Sequence, residues 1–269
     1  MAAGDFLNRL ELLSPAELAK QWVQNVQDYS VLAGRSIGNL FRQPRYLAET
    51  ILQADLIGVG SLPIVILAGF FTGAVLADNS AASLGRFGAL SLMSQLVSIG
   101  MVRELGPVLT AIMVAGRNAS GMASELGSMV VTEQIDAMRA LGTDPTKKLV
   151  TPRIVSTVVM LLFLTIISDL MGLIGGSAVA TLLYGLDFRQ YWTSSYQVLV
   201  FSDVFTGLVK PVFFGFIVAT IGCYYGISAK GGTQGVGRAT TQAVVAASVL
   251  IVSADFFLGR FLTAALGYR

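Results

Sequence analysis

Five stretches of the chain are apolar enough, for long enough, to cross a lipid bilayer as helices. The hydrocarbon core is about 30 Å thick, so a helix rising about 1.5 Å per residue needs about 20 mostly apolar residues. Residues 56–77 supply the first run without a formal charge; Pro63 and Gly69 lie inside it, as membrane helices tolerate. The second, 87–116, is broken only by the adjacent Arg103 and Glu104. The third, 154–184, carries Asp169; the fourth, 198–227, carries Asp203 and Lys210; the fifth, 242–266, carries Asp255 and Arg260. The fold class predicted is an all-α integral membrane protein.

The remaining stretches have a different pattern. Residues 6–34 place Phe6, Leu10, Leu13, Leu18, Trp22, Val23 and Val26 at helical spacing among polar residues. That pattern predicts an amphipathic helix, lying in the membrane interface or packed on a soluble partner. Pro44, after Arg35 and Arg42, separates it from the first span. Residues 1–48 are thus read as an N-terminal region and 49–269 as a transmembrane domain. The connection from Arg117 to Arg153 is too long for a tight turn and too polar to span. Within it, Ser128–Leu141 reads as a short helix. Thr132, Glu133, Gln134, Asp136 and Arg139 alternate there with Met129, Val130, Ile135, Met138 and Leu141. Gly142 can cap it, and Asp144-Pro145 ends the turn. Its apolar residues need a cover, and a partner protein is the simple one.

Composition agrees with lipid as the solvent. Hydrophobic residues make up 54% and charged residues only 13%, against roughly 25% in soluble domains. There is no histidine, which removes the commonest general base, metal ligand and pH switch. Cys223 stands alone in an apolar run, so neither an internal disulfide nor a cysteine metal site is expected. Residues 1–30 hold Asp5, Arg9, Glu11, Glu17 and Lys20 with no uninterrupted apolar stretch, and do not read as a secretory signal. Gly116–Met122 has phosphate-loop glycine spacing but lacks the following Lys and Ser/Thr and leaves a membrane helix, so ATP binding by this chain is not expected. Asn118-Ala-Ser120 matches a glycosylation acceptor by chance.

The basic residues orient the chain. With the N-terminus inside, twelve lie in inner segments: Arg9, Lys20, Arg35, Arg42, Arg45, Arg117, Arg139, Lys147, Lys148, Arg153, Lys230 and Arg238. Four lie outside: Arg86, Arg189, Arg260 and Arg269. This asymmetry predicts the N-terminus in the cytoplasm and the C-terminus on the far side.

Arg103, Glu104 and Lys210 are the most informative charges within spans. Each costs about 2.5–3.5 kcal/mol near the bilayer centre, so such groups usually face a bundle interior or a wet cavity. Adjacent helix residues point about 100° apart, so Arg103 and Glu104 cannot both face lipid. They line a substrate pathway, or they form a structural network in which an ion pair with Lys210 offsets the cost. Asp169, Asp203 and Asp255 are candidates for a proton relay or for interfacial placement near span ends. Gly172, Gly175, Gly176, Ser177, Ala180, Gly207, Gly215, Gly222 and Gly226 predict close helix packing.

Three ordered segments resemble the MlaE (YrbE) family of permeases. The first is Arg103-Glu-Leu-Gly-Pro-Val108, continuing through Ala115-Gly-Arg117 and Ser124-Glu-Leu-Gly127. The second is Thr132-Glu-Gln134, then Asp144-Pro145 and Thr151-Pro-Arg153; the third is Gly235-Val-Gly-Arg-Ala-Thr-Thr241, leading to Ala254-Asp-Phe256. Residues 78–96 and the first 45 carry no part of it. The resemblance implies an inner-membrane subunit of an ABC system that moves phospholipids and maintains lipid asymmetry. It implies a homodimer with two ATPase subunits, a periplasmic MCE protein and, in many members, a STAS-domain protein. ATP and Mg would be bound by the ATPase, leaving this chain without a catalytic site, cofactor or metal. The implied fold is an interfacial N-terminal helix, five spans, and a coupling helix on Ser128–Leu141. Glu125, Thr132, Glu133, Gln134, Asp136, Arg139, Asp144 and Pro145 would then serve ATPase coupling. Arg103, Glu104 and Lys210 would line a lipid cavity, with Arg103 and Lys210 meeting phosphate. The alternative is a proton-coupled secondary carrier of a lipid or other amphiphile using Asp169, Asp203 or Asp255. An intramembrane enzyme lacks the residues it would need, and a passive scaffold leaves the charges within spans unexplained.

Overall fold

The computed structural model describes residues 15–40 and 46–266, without the side chains of residues 15–18, 21 and 22. Phe6, Leu10, Leu13, Arg42, Pro44 and Arg45 lie outside the described residues, as do the side chains of Leu18 and Trp22. The chain divides into two compact units, Met1–Arg45 and Tyr46–Arg269. In the first, α1 spans Pro15–Asn39, five residues beyond the predicted end, and exposes Val23 and Val26.

The regular elements among the second unit's described residues are all helices, and five of them are long and apolar enough to cross a membrane. These are α2 (Leu47–Gly85), α3 (Leu90–Val131), α5 (Thr146–Leu182), α7 (Phe201–Ile227) and α8 (Gly232–Ala265). Two shorter helices complete it, α4 (Gln134–Ala140) and α6 (Phe188–Val198). All five predicted spans are present, but four of the helices outrun their apolar segments. Residues 47–55 continue α2 because Leu47, Ile51 and Leu52 keep helical spacing among Glu49, Gln53 and Asp55, although the mixture is too polar to be read as membrane.

Glycines let the helix backbones touch. A Cβ on Gly73 would land on the Gly172 carbonyl, and one on Gly69 would stand 2.7 Å from the Ser168 carbonyl oxygen. The α2–α5 seam is therefore a backbone-to-backbone contact, the usual source of association where lipid gives no hydrophobic driving force. α7 meets α3 and α5 the same way, through three glycines whose added Cβ would find backbone. Gly207 faces the Val102 carbonyl on α3, Gly215 leaves 2.8 Å to the Val158 Cα on α5, and Gly226 leaves 3.1 Å to Ala123 on α3. Consequently α7 is the most buried of the spans, while α2 and α8 present apolar residues such as Phe71, Val75, Phe256 and Phe257 to the outside.

α6 is an element the sequence reading did not include. Asp187 caps it by accepting a 2.8 Å hydrogen bond from the Gln190 N–H, and Tyr191 drops into the space over Gly176. Burial pushes the Tyr191 phenol above its ordinary range, so it stays a neutral wedge. It packs there with Ala77, Ala81, Met93, Val97, Met101 and Ala180.

Candidate functional site

The site begins with a local defect in α3. Pro107 has no N–H to give to the Arg103 carbonyl, and its ring crowds that oxygen. The preceding turn, Met101–Leu105, widens into π-helix. Such turns are rare and concentrate at functional sites. This one carries Arg103 and Glu104, and it lies where the missing side chain of Gly207 admits α7.

The three predicted pathway residues come together across α3 and α7. Lys210, on the α7 face turned to α3, is fully buried and forms an ion pair with Glu104. Its Nζ also stands 2.8 Å from Asp255 Oδ1 on α8, an ionic approach without hydrogen-bond alignment. Lys210 thus ties α3, α7 and α8 at one point, about 13 Å along its own helix. One turn after Asp255, an added Cβ on Gly259 would sit 3.8 Å from Lys210 Nζ and 3.9 Å from Glu104 Oε1. Two turns before Lys210, Asp203 pairs with Arg103 at 3.5 Å and accepts the Val200 N–H at 3.1 Å at the start of α7. The Glu104 side chain remains 48% exposed, against 21% for Asp255, so its carboxylate is the open edge of the cluster.

The aspartates differ from the expected interfacial placement. Only Asp203 sits at a helix start. Asp255 is inside α8 because Lys210 supplies its counter-charge, and Asp169 is inside α5. Asp169 Oδ1 is buried against Gly106, where α3 lacks a side chain, and it has no hydrogen-bond partner among the described residues. Cys223 is buried and unbonded, as its apolar surroundings predict.

At the other end of α3 the predicted helix Ser128–Leu141 is two pieces. α3 runs to Val131, Thr132 turns, Glu133 adopts a left-handed conformation at φ 58°, and α4 starts at Gln134. The β-branched run Val130-Val131-Thr132 weakens the helix there. The Ser128 carbonyl is taken by both the Thr132 N–H at 3.0 Å and the Thr132 hydroxyl at 2.9 Å. Gly142 follows at φ 76°, in the capping conformation expected of it. Asp144 accepts the Thr146 N–H at 2.9 Å, and Arg139 pairs with Asp136 at 2.9 Å. Pro145 lies at the cap of the π-helical turn that opens α5.

Glu125 is half exposed and pairs at 2.8 Å with the buried Arg153. That pair borders a cleft of about 510 Å³ between the start of α2 and α4, lined by Leu52, Met129, Met138 and Leu141 among others. Replacing Glu133 with glycine is expected to leave stability within about 1 kcal/mol of wild type, on the stabilising side. The left-handed cost of a Cβ disappears while the unfolded chain gains freedom. Thermal unfolding in detergent measures it, and a large loss would mean that the Glu133 side chain holds the break.

The chain has relatives among known proteins. The chain matches the family described as Permease MlaE over residues 50–261. It is 43% identical over 240 residues to a probable ABC transporter permease protein of Rickettsia conorii, covering 88% of this chain and 92% of that one. It is 34% identical over 243 residues to the intermembrane phospholipid transport system permease protein MlaE of Haemophilus influenzae, covering 87% and 93%. A third relative is the chloroplastic protein TRIGALACTOSYLDIACYLGLYCEROL 1 of Arabidopsis thaliana, 33% identical over 231 residues, or 86% of this chain and 66% of that one. With five membrane-spanning helices and a family match over most of its length, the chain belongs to the MlaE permease family.

Proposed function

We propose that the chain is the membrane subunit of an ABC transporter that moves phospholipids between the inner membrane and a periplasmic MCE-domain carrier. It would work as a homodimer with two ATPase subunits that hold ATP and Mg, and in some assemblies with a STAS-domain protein. The observation that carries this reading is the half-exposed Glu104 carboxylate, paired with buried Lys210 partway along the spans. A charge facing hydrocarbon there costs about 2.5–3.5 kcal/mol, so something polar must cover it. A second copy enclosing a lipid-filled cavity meets that need. The Haemophilus relative's name states phospholipid transport, and that likeness supports the choice of cargo. The excess of Lys and Arg in the inner segments supports a cytoplasmic N-terminus and a periplasmic C-terminus.

On this reading ATP-driven closure of the partner ATPases pushes on the α4 region, where Gln134, Asp136 and Arg139 are exposed. Glu125 ties α3 to α5 through Arg153, and Asp144 and Pro145 stand at the start of α5, so the push would pass to both helices. The push widens or narrows the cavity at Arg103, Glu104 and Lys210. Reconstitution with and without the ATPase subunits tests it. ATP-dependent transfer of labelled phospholipid to the carrier, abolished by replacing the α4 residues, is the expected result.

A proton-coupled carrier is the second reading, and the buried, unpartnered Oδ1 of Asp169 is what favours it. Transfer by the chain alone under a pH gradient, lost in Asp169→Asn, would establish that reading and sink the first.

A further inference from the structure

We propose that the Glu104–Lys210–Asp255 cluster receives the ammonium end of a zwitterionic phospholipid head group, admitted past Gly259, so that this permease favours such lipids over anionic ones. The inference rests on the reading that lipid passes this cluster.

Formal charge is the first argument. One cation, Lys210, stands between two carboxylates, and beside them Arg103 is matched by Asp203. The five groups together carry one excess negative charge. Burial is the second argument. Lys210 is fully enclosed, whereas Glu104 is 48% exposed, so a visitor meets a carboxylate before it meets an ammonium. The expectation that Lys210 greets a phosphate therefore gives way to the opposite polarity. A phosphate arriving at the Glu104 edge would face like charge, and like-charge approach is a common way of rejecting a competitor.

Access is the third argument. Gly259 lies one turn beyond Asp255, and the nearest atoms to a Cβ added there are Lys210 Nζ at 3.8 Å and Glu104 Oε1 at 3.9 Å. Glycine at this position leaves the edge of the pair uncovered, and a branched side chain would lie over it. A primary ammonium has three donors, and the Glu104 and Asp255 carboxylates offer acceptors that the single Lys210 ammonium does not exhaust. Arg103, on the same π turn as Glu104, is a cation for the phosphate of the same head group. An anionic glycerol head group would bring its phosphate to Arg103 but place only hydroxyls against the carboxylates.

The test uses the full assembly, with ATPase and carrier, in vesicles of equal parts phosphatidylethanolamine and phosphatidylglycerol. Mass spectrometry counts each lipid handed over during ATP hydrolysis. Phosphatidylethanolamine is expected to exceed phosphatidylglycerol by up to about fivefold, the ratio that one exposed charge pair supports. Glu104→Gln leaves Asp255 to balance Lys210 and should bring the ratio close to one on whatever transfer remains. Gly259→Leu should lower transfer of both lipids. A wild-type ratio of one or below, or a preference that survives Glu104→Gln, overturns the inference while leaving the lipid pathway intact. An assembly that hydrolyses ATP and transfers neither lipid overturns the pathway reading, and this inference with it.

Discussion

Replacing Lys210 with methionine is expected to cost about 3–5 kcal/mol, enough to leave much of the protein misfolded on extraction. Methionine occupies a similar volume, so the loss is electrostatic and not a cavity. The substitution leaves Glu104 and Asp255 facing one another across α3 and α8 with their shared counter-charge gone. Removing one partner of a buried pair strands the others, which costs more than replacing all of them together. The triple variant Lys210→Met, Glu104→Gln, Asp255→Asn should therefore recover most of the stability while failing to transport. The melting temperature in detergent and the monodisperse yield measure both. A single variant as stable as wild type would show that Lys210 does not hold the three helices together.

Gly73→Leu should be nearly as damaging, at about 3 kcal/mol or more, for a reason of shape. Its Cβ alone would fall on the Gly172 carbonyl, and backbone cannot rotate away as a side chain can. The next turn offers no relief, because a Cβ on Gly69 would itself stand only 2.7 Å from the Ser168 carbonyl oxygen. The two helices would have to part along their length. Gly237→Ala in α8 is the matched control. Nothing lies within 4 Å of its added Cβ, so helix propensity alone should stabilise it by up to about 1 kcal/mol. If both variants melt alike, close packing along the α2–α5 seam is not a source of stability.

The spans were legible because hydrocarbon tolerates few charges, and runs such as Leu56–Ala77 satisfy that rule residue by residue. Their ends were not, since α2 and α3 continue as helices where the composition is mixed. The trio Arg103, Glu104 and Lys210, proposed for the pathway, was visible from the cost of charge within a span. The partners Asp203 and Asp255 were not assigned, because pairing depends on how α3, α7 and α8 meet. The signal available was numerical: three acids and three bases in those spans invite a matched network. α6 had a sharper sign, with Asp187 at the cap and Tyr191 and Ser195 at helical spacing. The break at Thr132-Glu133 lay hidden because amphipathic alternation continues across it while the backbone does not.

The continuous course of α3, through a second π-helical turn at Ala115–Ala119, has a mechanical corollary. From the widened turn at Glu104 to Val131 it is a rod of about 40 Å, pinned near one end by the Lys210 pair. Pivoting such a rod by about 5° about the pin sweeps its far tip through about 3.5 Å, while atoms beside the pin barely shift. Large strokes at the far tip are thereby geared down to small rotations where the charges meet.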